Sequence, residues 1–271
     1  MKIIGIPALV GSYDNYIWVL SQQQNAWVVD PGESIQVIDF LKQNNLSLQG
    51  ILITHFHHDH VNGIADLKAA FPDCEVYGPE KTANDFIQHR VKQDDEVRLS
   101  PELKLNVLDT PGHTDDHIAY YNSDMLFCGD TLFTAGCGRR FTGTFSQFAE
   151  SILKLRALDD NIGFYCAHEY TVSNLKFAYL VEPENEALRQ RILKLDIRYP
   201  QNHEGAQSTL GEEKATNPFM RFDTPTIKAK LLARGAQDNS ESLFKTLRSW
   251  KDELDQSGEL DDRDLISMVT P

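Results

Sequence analysis

The sequence predicts an α/β domain with a smaller helical region appended, and three features carry that prediction. Short β-like runs alternate with turns and a few helical patterns as far as Cys166. Beyond Tyr170 the texture changes to amphipathic helical patterns joined by polar chain. Within the first part, seven residues, Thr54-His55-Phe56-His57-His58-Asp59-His60, hold four of the nine histidines and a carboxylate. They directly follow the apolar run Gly50-Ile51-Leu52-Ile53, which reads as a buried strand. Ligand-binding groups of open α/β sheets leave the carboxyl ends of strands in this way.

The elements follow in chain order. Residues 1–10 imitate a signal peptide weakly. Their apolar part is short, contains Pro7 and lacks an Ala-x-Ala-like cleavage site, so a first strand is expected there. Further strands are expected at 16–20, 26–29, 50–53, 75–77, 103–108, 118–121, 125–128 and 162–166. Turn residues separate them: Asp30-Pro31-Gly32, Tyr77-Gly78-Pro79, Pro111-Gly112 and Asn122-Ser123-Asp124. Helical spacing fits 34–43, 61–71 (stopping before Pro72) and 146–157. The carboxyl-terminal helices are expected at 175–180, 184–198, 224–233 and 240–254, with 258–271 packing loosely.

Composition narrows the functional classes. A chain of 271 residues suits one large domain or two smaller ones, with 41% hydrophobic and 24% charged residues as in soluble globular proteins. No apolar stretch approaches the roughly 20 residues of a membrane helix, so no membrane role is expected and the cytoplasm is the default compartment. Cys74, Cys128, Cys137 and Cys166 form no Cys-x-x-Cys pair and read as reduced thiols. A net charge of −14 repels nucleic acid, and it makes any cluster of basic residues conspicuous.

Histidine with carboxylate suits divalent zinc, iron or manganese. In an extended segment alternate residues share a face. His55, His57 and Asp59 would then point together and His58 aside, with His60 coming into reach as a helix begins near Val61. One candidate ligand also ends each of three later runs: His113 after 103–108, Asp130 after 125–128, and His168 after 162–166. Five histidines and two aspartates suffice for two metal ions and a bridging carboxylate. His58 reads as a packing residue or a support behind the ligands. His117 reads as a support or a surface residue, and His89 and His203 as exposed.

In order and spacing, Thr54-His55-x-His57-x-Asp59-His60 with His113, Asp130 and His168 resembles the metallo-β-lactamase superfamily signature. The resemblance implies an α+β fold, a four-layer αββα sandwich with metals at one edge of the sheets. It also implies one ion on His55, His57 and His113, a second on Asp59, His60 and His168, and Asp130 between them. Asp59 and Asp130 would be the catalytic carboxylates. Two divalent ions, zinc first, with iron or manganese acceptable, share a water and lower its pKa to about 7. The resulting hydroxide attacks a carbonyl carbon and needs no protein nucleophile.

Three further segments narrow the substrate. They are Gly136-Cys137-Gly138-Arg139-Arg140-Phe141-Thr142-Gly143-Thr144, the run His168-Glu169-Tyr170-Thr171-x-Ser173-Asn174-Leu175-Lys176-Phe177-Ala178, and a helical end. That end holds Asn217-Pro218-Phe219-Met220-Arg221 and Leu247-Arg248-Ser249-Trp250-Lys251-Asp252. Together with Asp14-Asn15-Tyr16 they resemble the glyoxalase II (hydroxyacylglutathione hydrolase) family. The implied domains are 1–169, catalytic, and 170–271, helical and glutathione-binding. The implied reaction is hydrolysis of S-(2-hydroxyacyl)glutathione, chiefly S-D-lactoylglutathione, to D-lactate and glutathione. Arg139, Tyr170, Asn174, Arg248 and Lys251 would contact glutathione, an anion that needs local cations on this acidic chain. The expected partner is that small molecule alone, and the protein is expected to be a monomer. A glutathione persulfide dioxygenase or another hydrolase of the superfamily is the alternative. Three departures from the pattern stand out. Phe141 replaces a common Tyr and so removes a hydroxyl contact worth about 0.5–1.5 kcal/mol. Arg140 offers a compensating charge where an apolar residue is common. Asp116 replaces a common Gly and unsettles the local turn.

Overall fold

A computed structural model describes residues 1–195 and 208–270. Two six-stranded sheets lie face to face. The first runs in sequence order: β1 (Lys2–Ala8), β2 (Asn15–Gln22), β3 (Asn25–Val29), β4 (Ser47–Leu52), β5 (Glu75–Pro79) and β6 (His89–Val91). The second holds β7 (Glu96–Arg98), β8 (Lys104–Asp109), β9 (Ile118–Tyr121), β10 (Met125–Phe127), β11 (Gly163–Tyr165) and β12 (Ser208–Thr209), also in order. The edge strand β12 is therefore supplied from beyond the predicted helix at 184–198.

Side-chain alternation builds the layers. On β2, Ile17 and Val19 enter a core beneath α1 (Ile35–Gln43) and α3 (Ile64–Ala70), while Tyr16, Trp18 and Leu20 face the second sheet. On β10, Met125 and Phe127 face the first sheet and Leu126 faces outward. That outer face is covered by α4 (Phe145–Arg156), α5 (Thr171–Val181), α8 (Pro225–Ala233) and α9 (Ser240–Ser257), through Phe148, Phe177, Phe244 and their neighbours. The order helix, sheet, sheet, helix is the four-layer α+β sandwich expected from the resemblance.

Local signals set the helix ends. Thr144 and Gln147 form a reciprocal capping box on α4, and Asn239 accepts from the Ser242 N–H at the start of α9. Gly258 ends α9 at φ 69°, a left-handed conformation that glycine adopts without a Cβ penalty. The buried stripe of α9 contains Leu243, Phe244, Leu247 and Leu254, and also Arg248 and Lys251.

Several expectations need correction. The helix after the histidine cluster starts at His58, as the short α2 (His58–Val61), and breaks before α3. The predicted helix at 184–198 is α6 (Glu186–Leu193); its end lies outside the described residues, as does His203. Residues after Gly258 do not pack loosely: α10 (Leu265–Val269) buries Leu265 and Val269 against α5 and α6. The sequence reading also passed over β6, β7 and β12, too short to show alternation, and α7 (Leu210–Thr216) with the 3-10 turn Pro218–Met220.

Candidate metal centre and substrate cleft

The ends of β4, β8, β10 and β11 open at one edge, and each sends out candidate ligands. Beyond β4, the Thr54 N–H and hydroxyl both donate to the Asp30 carboxylate, at 2.7 Å each. His55 follows, and His57 in extended backbone starts α2, whose first turn carries Asp59 and His60. Asp59 is thus placed by helix rather than by strand alternation, and this separates it from His55 and His57. Two groups result. The nearest ligand atoms of His55, His57, His113 and Asp130 lie within 4.8 Å of one another, as do those of Asp59, His60 and His168. Asp130 faces both: Oδ2 is 3.3 Å from His113 Nε2, and Oδ1 is 3.1 Å from His168 Nε2 and 3.4 Å from His60 Nε2.

Hydrogen bonds on the outer ring nitrogens fix the inner ones. His113 Nδ1 donates to the Arg139 carbonyl at 2.6 Å, and His168 Nδ1 donates to the Tyr13 carbonyl at 2.8 Å. Thr54 gives its hydroxyl proton to Asp30, so His55 Nδ1 donates to Thr54 Oγ1, 3.0 Å away. His60 Nδ1 lies 3.1 Å from Asp30 Oδ2. In the neutral rings of His55, His113 and His168 each Nε2 therefore carries a bare lone pair pointing inward, whereas neither ring nitrogen of buried His60 makes a hydrogen bond. His57 presents Nδ1, at 3.1 Å from His55 Nε2 and 3.0 Å from His113 Nε2. A proton there could satisfy one of these two, not both. Buried Asp130 Oδ1 and His60 Nε2 make no hydrogen bond. Converging imidazole lone pairs and carboxylates, each oriented from behind, fit divalent cations.

Electrostatics agrees. Burial, reinforced by neighbouring histidines, holds His55 well below its ordinary pKa. Burial depresses His113 to about 4 despite Asp130. His60 behaves oppositely: burial pushes it down, but Asp130 and Asp30 outweigh that and raise it. His168 is raised for the same reason, by Asp130 against burial. For Asp130 burial pushes upward, and His168, His60 and His113 together hold the carboxyl well below its usual range. The same carboxylates that raise His60 and His168 would favour a divalent ion in place of a proton.

The cluster floors a cleft of about 500 Å³ that also includes Tyr13 and Phe133. Its lining also carries Arg139, Tyr170, Asn174, Arg248 and Lys251. Tyr170 stacks on the His168 ring at 4.9 Å and 6°. Asn174 donates to the Thr134 carbonyl at 3.1 Å. Arg248 donates to the Cys137 carbonyl at 3.0 Å and pairs with Asp252 at 3.0 Å, and Lys251 donates to Ser173 at 3.0 Å.

Comparison with known proteins bears on this arrangement. Residues 11–168 match the metallo-beta-lactamase superfamily, and residues 169–254 match the hydroxyacylglutathione hydrolase C-terminus. The chain is 44% identical to hydroxyacylglutathione hydrolase of Hydrogenovibrio crunogenus over 267 residues, covering 96% of this chain and 98% of that one. With the Aliivibrio salmonicida hydroxyacylglutathione hydrolase, identity is 46% over 256 residues, 94% of this chain and all (100%) of that one. The chain belongs to the hydroxyacylglutathione hydrolase family. Fold likeness extends further, to ETHE1 from Myxococcus xanthus at a TM-score of 0.63, with 23% identity and coverage of 93% and 98%. A Staphylococcus aureus metallo-beta-lactamase aligns at a TM-score of 0.59, with 20% identity and coverage of 90% and 68%.

In this member of the hydroxyacylglutathione hydrolase family, all seven metal candidates converge, and all five candidate substrate contacts line the cleft. His58 is exposed and neither packs nor supports a ligand, because the first turn of α2 points it away. Arg140 adds no charge to the cleft; it donates to the Phe141 and Gly143 carbonyls and lies over the Phe145 ring. Phe141 sets its edge against His57 and His113, each at 5.0 Å. Asp116 leaves the turn intact, buried and accepting from Thr114 and Thr82. His117 is buried, not on the surface: its Nε2 accepts the Asp130 N–H at 3.0 Å and its ring stacks on His55.

The hydrolase contains supports that sequence reasoning missed. Asp30 anchors both Thr54 and His60, yet Asp30-Pro31-Gly32 reads as a plain turn. Its place directly after a strand, like that of Asp130, was the available signal. Asn15 donates to the backbone and carboxylate of Asp59 at 3.1 Å each. Behind the cleft wall, buried Glu213 accepts the Ala135 N–H at 2.8 Å, and Asn217 donates to the Phe133 and Gly136 carbonyls at 3.1 and 3.0 Å. This holds Ala135 at φ 56° in the loop that presents the Arg139 carbonyl to His113.

Proposed function

We propose that the protein hydrolyses S-(2-hydroxyacyl)glutathione thioesters, chiefly S-D-lactoylglutathione, to D-lactate and glutathione. The observation that carries this reading is a seven-residue ligand cluster opening into a cleft whose lining bears three cations. In this reading His55, His57 and His113 hold one divalent ion, Asp59, His60 and His168 hold the other, and Asp130 spans both. Zinc is the first candidate for either position. Residues 1–169 act as the catalytic domain and 170–271 as the glutathione-binding domain, in a cytoplasmic monomer. No helix of the described residues is long and apolar enough to cross a membrane.

Ions bound there would supply a water acidified to a pKa of about 7 and a Lewis acid for the thioester carbonyl. The chain's own residues do the rest. The Arg139, Tyr13 and Thr54 oxygens hold the imidazoles in the tautomers that face inward. Asp59, steadied by Asn15, accepts a hydrogen bond from the attacking water and orients it. Arg139, Arg248 and Lys251, with Tyr170 and Asn174, receive the glutathione half. A thiolate with a pKa of about 8.5 leaves without a protein acid.

The test is turnover of S-D-lactoylglutathione by the metal-loaded protein, with metal content measured on the same sample. Thiol release at the background rate from protein with both positions filled would overturn the assignment.

A further inference from the structure

Asp255 sits where a ligand's carboxylate would. It lies one turn beyond Lys251 on α9 and lines the cleft. Its Oδ1 accepts from Lys251, while Oδ2 is 3.5 Å from Arg139 Nη2 and 3.6 Å from Arg248 Nη2. Exposure separates these groups. The side chains of Arg248 and Lys251 are 3% and 4% exposed, against 19% for Asp255 and 56% for Arg139. Of the other donors of the two buried cations, Arg248 Nη1 donates to the Cys137 carbonyl, Arg248 Nη2 pairs with Asp252 and Lys251 donates to Ser173, while buried Arg248 Nε makes no hydrogen bond. A molecule bringing a carboxylate to this corner meets an anion already seated on the cations.

We propose that Asp255 is an internal competitor for this corner and so sets the affinity for the thiol-bearing half of the substrate. The proposal rests on the reading of that substrate as a glutathione thioester. Binding exchanges one carboxylate for another: the incoming group takes the cations as Asp255 turns toward solvent on its exposed side. The number of ion pairs is unchanged, and the tethered Asp255 competes at the high effective concentration of an intramolecular group. Affinity for substrate is thereby moderated, and so is affinity for the released thiol, which carries the same carboxylates.

Asp255→Asn tests this, because it keeps the shape and removes the anion. The two measurements are KM for S-D-lactoylglutathione relative to KM for the lactoyl thioester of N-acetylcysteamine, which has no carboxylate, and calorimetric Kd for S-methylglutathione. The ratio of KM values and the Kd should each fall about twofold to fivefold, the scale of one partly exposed ion pair. Asp255→Glu, which keeps the anion, should leave both near those of the unaltered protein. An unchanged ratio, or an equal shift on both thioesters, would overturn the proposal. So would weaker binding confined to ligands with a free α-amino group, which would make Asp255 an ammonium site. If the unaltered protein turned over no glutathione thioester, the functional reading would fail, and the S-methylglutathione titration would still decide the role of Asp255.

Discussion

The backbone N–H of Asp130 donates to Nε2 of His117 at 3.0 Å, and the opposite ring nitrogen of His117 is held by the hydroxyls of Thr110 and Thr131. One ring outside the metal-lined cleft thereby aims the carboxylate shared by both ligand groups. His117→Ala should weaken metal binding by about 10–100-fold, the usual effect of removing an outer support of a ligand. Competition with a chromophoric chelator would measure this, and affinity within twofold of the unaltered protein would deny the aiming role.

Asp130 itself faces both groups, so Asp130→Ala should reduce metal content and rate together. Elemental analysis of the purified variant, alongside thioester turnover, tests this. Two retained ions with near-normal turnover would refute the bridging assignment.

Metal affinity should rise with pH. His60 and His168 are raised above the ordinary histidine value by Asp130 and so bind protons more tightly than a free imidazole, whereas His113, depressed by burial to about 4, binds them less tightly. Ligation must displace the protons on the first two. The raised groups also favour the metal-free fold at low pH and lose that contribution as pH rises through their folded pKa. Titration with zinc in buffers of different ionisation enthalpy should reveal proton release at pH 7. No release at that pH would contradict the assignment.

Gly129 allows a close approach that no other residue permits. It lies at φ 46°, and a Cβ there would stand 2.4 Å from Thr54 Oγ1 and 2.8 Å from His117 Nε2. Gly129→Ala should therefore displace both the His55 anchor and the Asp130 support, lowering metal content and stability by about 1–3 kcal/mol. Urea unfolding of the metal-free variant would separate the two effects.

Asn217 gives a second hydrogen bond to each of two loop carbonyls and accepts the buried Phe219 N–H, and Asn217→Ala removes all three and leaves that N–H without its acceptor. The expected loss is about 1–3 kcal/mol, with weaker metal binding because the loop also carries the Arg139 carbonyl that orients His113. Denaturant unfolding together with chelator competition checks both parts.

The histidine cluster was legible because chemistry of that density has few packing explanations, and the later ligands because each ends an apolar run. The wall cations were legible through resemblance alone: spacing places Arg248 and Lys251 on one face of a helix but does not reveal that this face is buried. Asp30, Glu213 and Asn217 were not read as supports because their partners lie far along the chain, and His117 reads as a support or a surface residue without its partner, the Asp130 N–H, being evident. Asn217 lies 84 residues from Phe133, and Glu213 lies 78 from Ala135. The helical start at His58 was missed because a strand's alternation and a helix's first turn both bring Asp59 to the ligand side.

The reach of Glu213 and Asn217 back to the loop at Ala135 has a consequence for how the protein is made. Every ligand up to His168 leaves the ribosome before either of these residues, and before the strand Ser208–Thr209 that completes the second sheet. A nascent chain thus displays a full set of metal-binding groups while the loop behind His113 is still unbraced. Selective retention of ions belongs to the finished chain, and a polypeptide stopped at Leu195 should be recovered poor in metal.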